Sequence, residues 1–230
     1  IGEEKVAILR LENPGNGRDS FDLSHNIILD QNITSDPGII ITFSNNPISL
    51  EAGSLKAIPI TIVIPPSTPA RVDINIEIIM TSRGDTIITD SKILVIQARQ
   101  NHVWSIDAKI DGNEVSGNEY TINPGDTLQV EVNAQNLGNM IDDIELIAIT
   151  ELSLEPNDLV AGWLATGEAR TGVGVNGTVN MQVNATISEG ALVGSIMIVK
   201  IIAVSGEDEV GVFSFEIGVK HSPGWTVVAN

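Results

Sequence analysis

The side chains able to do chemistry are few and scattered. Three histidines stand at His25, His102 and His221, and none has a partner at a metal-ligand spacing such as HxxxH. None sits in a nucleophile context, and no GxSxG, phosphate-loop or dinucleotide fingerprint occurs. GVGVNG at 172–177 is glycine-rich, but no helical pattern follows it, so no helix N-terminus is there to hold a phosphate. It reads as a turn. The carboxylates Asp142–Asp143 and Glu207–Asp208–Glu209 fall at loop or strand edges, whereas glycoside hydrolysis needs two carboxyls converging across a cleft. Three Trp, one Tyr and four Phe are thin material for a sugar-stacking platform, and Trp104 reads as core or junction packing. No catalytic residue and no cofactor site are expected.

Modification offers a little more. Asn32, Asn176 and Asn184 each open an N-x-[ST] sequon, a pattern that chance alone supplies often in a chain this rich in Asn, Ser and Thr. With Met181, Val183 and Ala185 inward on one strand, Asn184 is expected to face out, with Asn32 in a loop and Asn176 in a turn. All three are candidates for glycosylation on an exported protein.

Charge narrows the partners. The formal net charge is −18, from 30 acidic against 12 basic residues. Nucleic acid and anionic membrane surfaces need positive charge that is lacking here. The acidic excess reads as a solvated, self-repelling surface, with calcium between carboxylates as the sharper alternative. There is no cysteine, which rules out disulfides and thiolate metal sites. A secreted eukaryotic sandwich often carries a disulfide, so a prokaryotic surface or secreted protein fits better. The longest apolar stretches, such as IMIVKIIAV at 196–204, fall far short of the ~20 residues of a spanning helix. No membrane insertion is expected. The chain starts at Ile1 without Met or a signal-peptide pattern, so it is expected to be a mature or excised segment.

The elements that position these residues come from an internal repeat. ENPGNGRDSFDL at 12–23 returns as QNLGNMIDDIEL at 135–146, with Asn13, Gly15, Asn16, Asp19 and Leu23 matching Asn136, Gly138, Asn139, Asp142 and Leu146 at a shift of 123. The same shift carries Ala7, Leu9 and Leu11 onto Val130, Val132 and Ala134, and Ile58, Ile60, Ile62 and Ile64 onto Met181, Val183, Ala185 and Ile187. It also carries Ile74, Ile76 and Ile78 onto Met197, Val199 and Ile201, and Ser82 onto Ser205. A common shift over so many segments indicates duplication. Each segment alternates apolar residues with period two between Pro, Gly, Asn and Asp clusters, which describes strands. Only 152–162 could form a helical turn or two. The fold class is all-β, two tandem immunoglobulin-like antiparallel β-sandwiches.

In the repeated motif, Asn13 and Asn136 are expected to end a strand. Gly15, Asn16, Gly138 and Asn139 would supply the positive φ of a tight reversal. Asp19 and Asp142 would accept hydrogen bonds from turn amides. A calcium loop is the alternative, but such a loop supplies several carboxylates at fixed positions and each copy here has one fixed Asp.

The pattern LxNxGNxxDxFxL, then SLEAGS, then ITIVIPP leading to a strand ending near Ser82, resembles bacterial and archaeal immunoglobulin-like accessory domains of the CARDB-like and NPCBM-associated types. GWLATG at 162–167 is similar to the Gly-Trp strand of that family, while the first copy has Ile39–Ile40 there. The resemblance implies a spacer, stalk or adhesion module of a larger exported protein.

The two ends do not match. HVWSIDAKIDGNEVSGNEYTI at 102–122 reads as a first strand and hairpin ahead of the second repeat, with no counterpart ahead of the first. WTVVA at 225–229 matches WSIDA at 104–108. Domains are therefore expected at 1–98, lacking its first strand, and at 99–220, with a hinge around 97–102 and a first-strand-like tail over 221–230. One explanation is a piece cut from a longer repeat array. The other is strand donation, with Trp225, Thr226, Val227, Val228 and Ala229 of one chain filling the first domain of the next. The expected function is non-enzymatic: an extracellular stalk, surface-layer or filament segment whose partners are neighbouring immunoglobulin-like domains, copies of itself, or surface glycans. Alternatives are a carbohydrate-binding or spacer module of a secreted hydrolase and a calcium-stabilised adhesin.

Overall fold

The computed structural model describes residues 3–29, 37–115, 118–152 and 163–220. These residues form strands and turns with no helix, in two compact units that meet between Asn101 and His102. The segment suggested for a helical turn lies, from residue 153 onward, outside the described residues.

Unit 1 begins with β1 (Glu3–Glu12), β2 (Asp19–Ile28), β3 (Ile40–Phe43) and β4 (Ile48–Leu50). β5 (Leu55–Ile64), β6 (Asp73–Ser82) and β7 (Thr89–Gln97) follow. One sheet runs β1-β5-β3 and the other β4-β2-β6-β7. β-Branched isoleucine suits the pleated, half-buried surface, and alternate positions along each strand share a face. Ile58, Ile60, Ile62 and Ile64 of β5 and Ile74, Ile76 and Ile78 of β6 are accordingly buried. At one end of the sandwich Leu11, Phe21, Leu23, Ile48, Leu50 and Ile58 form a second cluster.

Unit 2 repeats this plan. β11 (Thr127–Asn136), β12 (Asp142–Leu152), β13 (Leu164–Thr166) and β14 (Ala169–Val173) correspond to β1 through β4. β15 (Thr178–Thr186), β16 (Ile196–Ser205) and β17 (Asp208–Val219) correspond to β5 through β7. Ahead of them stand three strands without a counterpart among the described residues of unit 1: β8 (Trp104–Ile110), β9 (Asn113–Glu114) and β10 (Glu119–Ile122). The sheets run β13-β15-β11-β8-β9 and β10-β17-β16-β12-β14. β8 and β9 form a hairpin whose two turn residues, Asp111 and Gly112, both have positive φ. Paired positive φ matches the right-handed twist of the flanking strands. β10 then crosses to the other sheet and runs parallel to β17. That parallel pair departs from the antiparallel pairing of the other described strands.

Ile76 is fully buried at the centre of β6. Ile76→Ala should destabilise unit 1 by about 2–5 kcal/mol, the usual cost of emptying a buried Ile site, seen as an earlier denaturant midpoint. An unchanged midpoint would remove β6 from the core.

Candidate functional site

The repeated motif is a structural knot. Asn13 Nδ2 donates to the carbonyls of Gly17 at 2.9 Å and Leu50 at 3.1 Å, and its Oδ1 accepts from the Gly15 N–H at 3.0 Å. Asn136 does the same with Met140 and Val173, both at 2.9 Å, and with Gly138 at 2.8 Å. Both side chains are buried. The expected positive φ at Gly15, Asn16, Gly138 and Asn139 is not found: these residues are absent from the left-handed region. The Asn side chain makes the reversal as an Asx turn, so no left-handed residue is needed. Gly15 serves by closeness instead, since a Cβ there would lie 3.0 Å from Asn13 Oδ1.

Asp19 and Asp142 join strands rather than cap turns alone. Asp19 Oδ2 accepts from Ser82 Oγ at 2.6 Å, and Oδ1 accepts from the Ser20 N–H at 2.7 Å. In unit 2 the Ser205 hydroxyl donates to Asp142 Oδ2 at 2.7 Å, and His102 Nδ1 lies 2.7 Å from the same oxygen and 3.2 Å from Ser205 Oγ. Serine, histidine and aspartate together invite comparison with a nucleophile triad. There, the carboxylate holds Nδ1 and the serine gives its proton to Nε2. Here serine and aspartate share one ring nitrogen, the serine hydroxyl has the Asp142 carboxylate and the Asp143 carbonyl as acceptors, both at 2.7 Å, and Ser205 is 1% exposed. The cluster is a clamp that fixes the start of unit 2 to β12 and the end of β16. Gly206, at positive φ, leaves room for it, because a Cβ there would come within 3.2 Å of the His102 ring.

The remaining candidates stay apart. His25 lies tilted against Phe43 at 6.1 Å between ring centroids. Asn176 is exposed in a turn at positive φ, and Asn184 is half-buried on the face of β15 opposite Met181 and Val183. Asn32, His221 and residues 225–229 lie outside the described residues. Trp104 is buried in the core of unit 2, and Tyr120 packs edge-on against Phe215 at 5.9 Å. Neither presents a flat aromatic face to a sugar. Among the described residues, no three His, Cys, Asp or Glu side chains gather as a metal site, and no helix is long and apolar enough to cross a membrane.

The larger opportunity is an open sheet margin. β11 is paired on both sides, by β15 and by β8. Its equivalent β1 is paired by β5 alone among the described residues. Beside β1 lies a groove of about 920 Å³, lined by Leu9, Leu11, Phe21, Ile78, Met80 and Ile88 among others. Val6 and Ile8 on the same strand are 62% and 60% exposed. In unit 2, Trp104, Ala108 and Ile110 of β8 are buried in the corresponding core. Sequence pairing located this edge through the unmatched 102–122 segment. The clamp went unseen because its members are far apart along the chain.

No family model and no curated protein matches the chain. Among solved structures, it is similar to the secreted serine protease VesC from Vibrio cholerae, with 12% identity over 93% of this chain and 48% of that one, at a TM-score of 0.31. It is similar also to the CupB2 chaperone of Pseudomonas aeruginosa, with 11% identity over 94% and 93% of the two chains and a TM-score of 0.29. A third likeness is to the CsuC-CsuE chaperone-tip adhesion subunit pre-assembly complex of Acinetobacter baumannii, with 12% identity, 94% and 93% coverage and a TM-score of 0.30. Likenesses at these scores carry no argument about function. The all-β sandwich architecture is established by the strands themselves, and nothing singles out the CARDB-like or NPCBM-associated types.

The clamp responds to acid. Burial pushes the Asp142 carboxyl up, but hydrogen bonds from Ser205 and His102 outweigh it and hold the group below the usual aspartate value. A depressed folded value means the contribution is full above the ordinary aspartate range and is lost as pH falls through the folded value. Unit 2 should therefore lose melting temperature below about pH 4, and Asp142→Asn should flatten that part of the profile. An Asp142→Asn profile parallel to the wild-type one would show that the clamp contributes nothing.

Proposed function

We propose that this chain is a non-enzymatic structural protein of an extracellular surface, a filament, stalk or surface-layer segment, assembled by adding a strand to unit 1. The observation that carries this reading is the open β1 edge above an apolar groove, at the position where β8 closes unit 2. An unpaired edge is a template for another strand, and main-chain hydrogen bonds with pockets for alternate side chains give such pairing both affinity and register.

The donor is the 225–229 segment of another copy, WTVVA, which matches the start of β8. β8 lies antiparallel on β11 with Trp104 opposite Asn136, Ile106 opposite Ala134 and Ala108 opposite Val132. The shift of 123 puts Trp225 opposite Asn13, Val227 opposite Leu11 and Ala229 opposite Leu9. Trp225, Val227 and Ala229 then point into the groove, while Thr226 and Val228 point out. A tryptophan buries about 150–250 Å², which at about 25 cal/mol per Å² amounts to roughly 4–6 kcal/mol before ordering costs. Trp225 is the anchor. Donation from one end of a copy into the other end of the next is heterologous and need not close, so it builds fibres.

The acidic surface, with its net charge of −18, keeps such fibres from clumping side by side.

Deleting residues 224–230 should leave only monomers by light scattering, and Val227→Asp, a milder change, should do the same. Fibres that survive both changes would exclude this donor.

A further inference from the structure

The site that holds Ile106, the inward residue of β8 after Trp104, is walled differently in the two units. In unit 2, Ile106 packs against the core and stands opposite Ala134 on β11, while Ala203 of β16 pairs with Gly211 of β17. A Cβ built on Gly211 would lie 3.0 Å from Ile106 Cδ1 and 3.8 Å from the Ala203 Cβ. Cross-strand partners share a face, so three of the smallest side chains stand about the end of one isoleucine. In unit 1 the shift of 123 puts Leu11 in place of Ala134 and Met80 in place of Ala203. Met80 pairs with Asp90 as Ala203 pairs with Gly211. Each of these walls is larger in unit 1, and Leu11, Met80 and Asp90 all line the groove beside β1. The tail changes in the opposite sense. Val227 stands where β8 has Ile106, and valine lacks the Cδ1 methyl that reaches Gly211. Larger walls with a smaller side chain between them keep the filling of the site nearly constant, as close packing requires.

We propose that Leu11, Met80 and Asp90 form a size filter on the strand that unit 1 accepts, taking valine and refusing isoleucine at the position opposite Leu11. Asp90 decides the outcome, because it places a Cβ where Gly211 has none and where the end of an isoleucine side chain would have to lie. Discrimination between two related strands depends on what each site excludes as much as on what it holds. The β8 sequence, WSIDA, is too large at this point for unit 1, and the tail, WTVVA, is too small to fill the Gly211 site of unit 2. Each unit therefore selects its own strand, and a neighbouring copy does not lend its β8 in place of its tail. This inference rests on the strand-acceptor reading of unit 1, and the experiment separates the two.

A peptide copying residues 222–230, and the same peptide with Val227→Ile, are titrated into the full chain carrying Val227→Asp, so that its own tail does not compete. The unchanged peptide should bind, and the Val227→Ile peptide should bind about ten-fold more weakly, the scale of penalty for one methyl group too many in a packed site. Asp90→Gly in the receiving chain should bring the two affinities together, the coupling expected of residues in contact. Asp90→Asn keeps the size and removes the charge, and it should leave the penalty in place. Met80→Ala opens the same site from β6 and should shrink the penalty even if glycine weakens β7. Equal affinities for the unaltered groove, a penalty that both Asp90→Gly and Met80→Ala leave intact, or one that Asp90→Asn abolishes would overturn the filter while strand acceptance stands. Failure of both peptides to bind would remove the acceptor and the filter with it.

Discussion

Every strand residue brings one backbone donor and one acceptor, and a sheet satisfies them only where another strand lies alongside. This molecule builds the same seven-stranded plan twice and finishes it once. In unit 2 the 104–122 segment seals β11 on one sheet and β17 on the other. In unit 1 both margins are bare among the described residues, and the apolar side chains that would face the absent strands line a groove or meet water. The two halves share the order of their seven common strands, so unit 2 serves as a template for which strands a completed unit 1 would carry.

That shared wiring is held by polar residues buried at one end of each sandwich. Asn13 and Asn136 each tie a loop to the end of the β4 or β14 strand, and Asp19–Ser82 and Asp142–Ser205 each tie the second strand to the sixth. A buried polar group without partners is costly, so these residues define the geometry that satisfies them. Unit 2 adds His102 to its Asp–Ser pair, just ahead of Trp104, and so locks the first strand at its root. A strand arriving from another copy has no such covalent root. Its hold on unit 1 must come from main-chain pairing and from the side chains that enter the groove.

Much of this was legible in the sequence because period-two alternation and a constant shift survive without tertiary knowledge. The inward sets on β5, β6, β15 and β16 and the unmatched 102–122 segment followed directly. The turn chemistry was misread at Gly15 and Asn16: their residue types tolerate positive φ, yet the Asn13 side chain makes the reversal without it. The direction of β10 was hidden, since four residues, EYTI, carry no signal for parallel against antiparallel pairing. Also hidden was Asn46, whose side chain brackets Leu23 with an acceptor at 2.9 Å and a donor at 2.7 Å, standing in for backbone beside β2. Partners far apart in sequence leave no local trace.

The central claim is that the β1 edge is a binding surface, and its outward amides report on that directly. Hydrogen exchange of residues 6–12 should be followed across a wide range of protein concentration, at fixed pH and salt. The account predicts that the β1 amides turned away from β5 exchange freely in dilute solution and become protected as concentration rises, in step with assembly. Exchange of those amides that stays fast and independent of concentration while the protein assembles would contradict it.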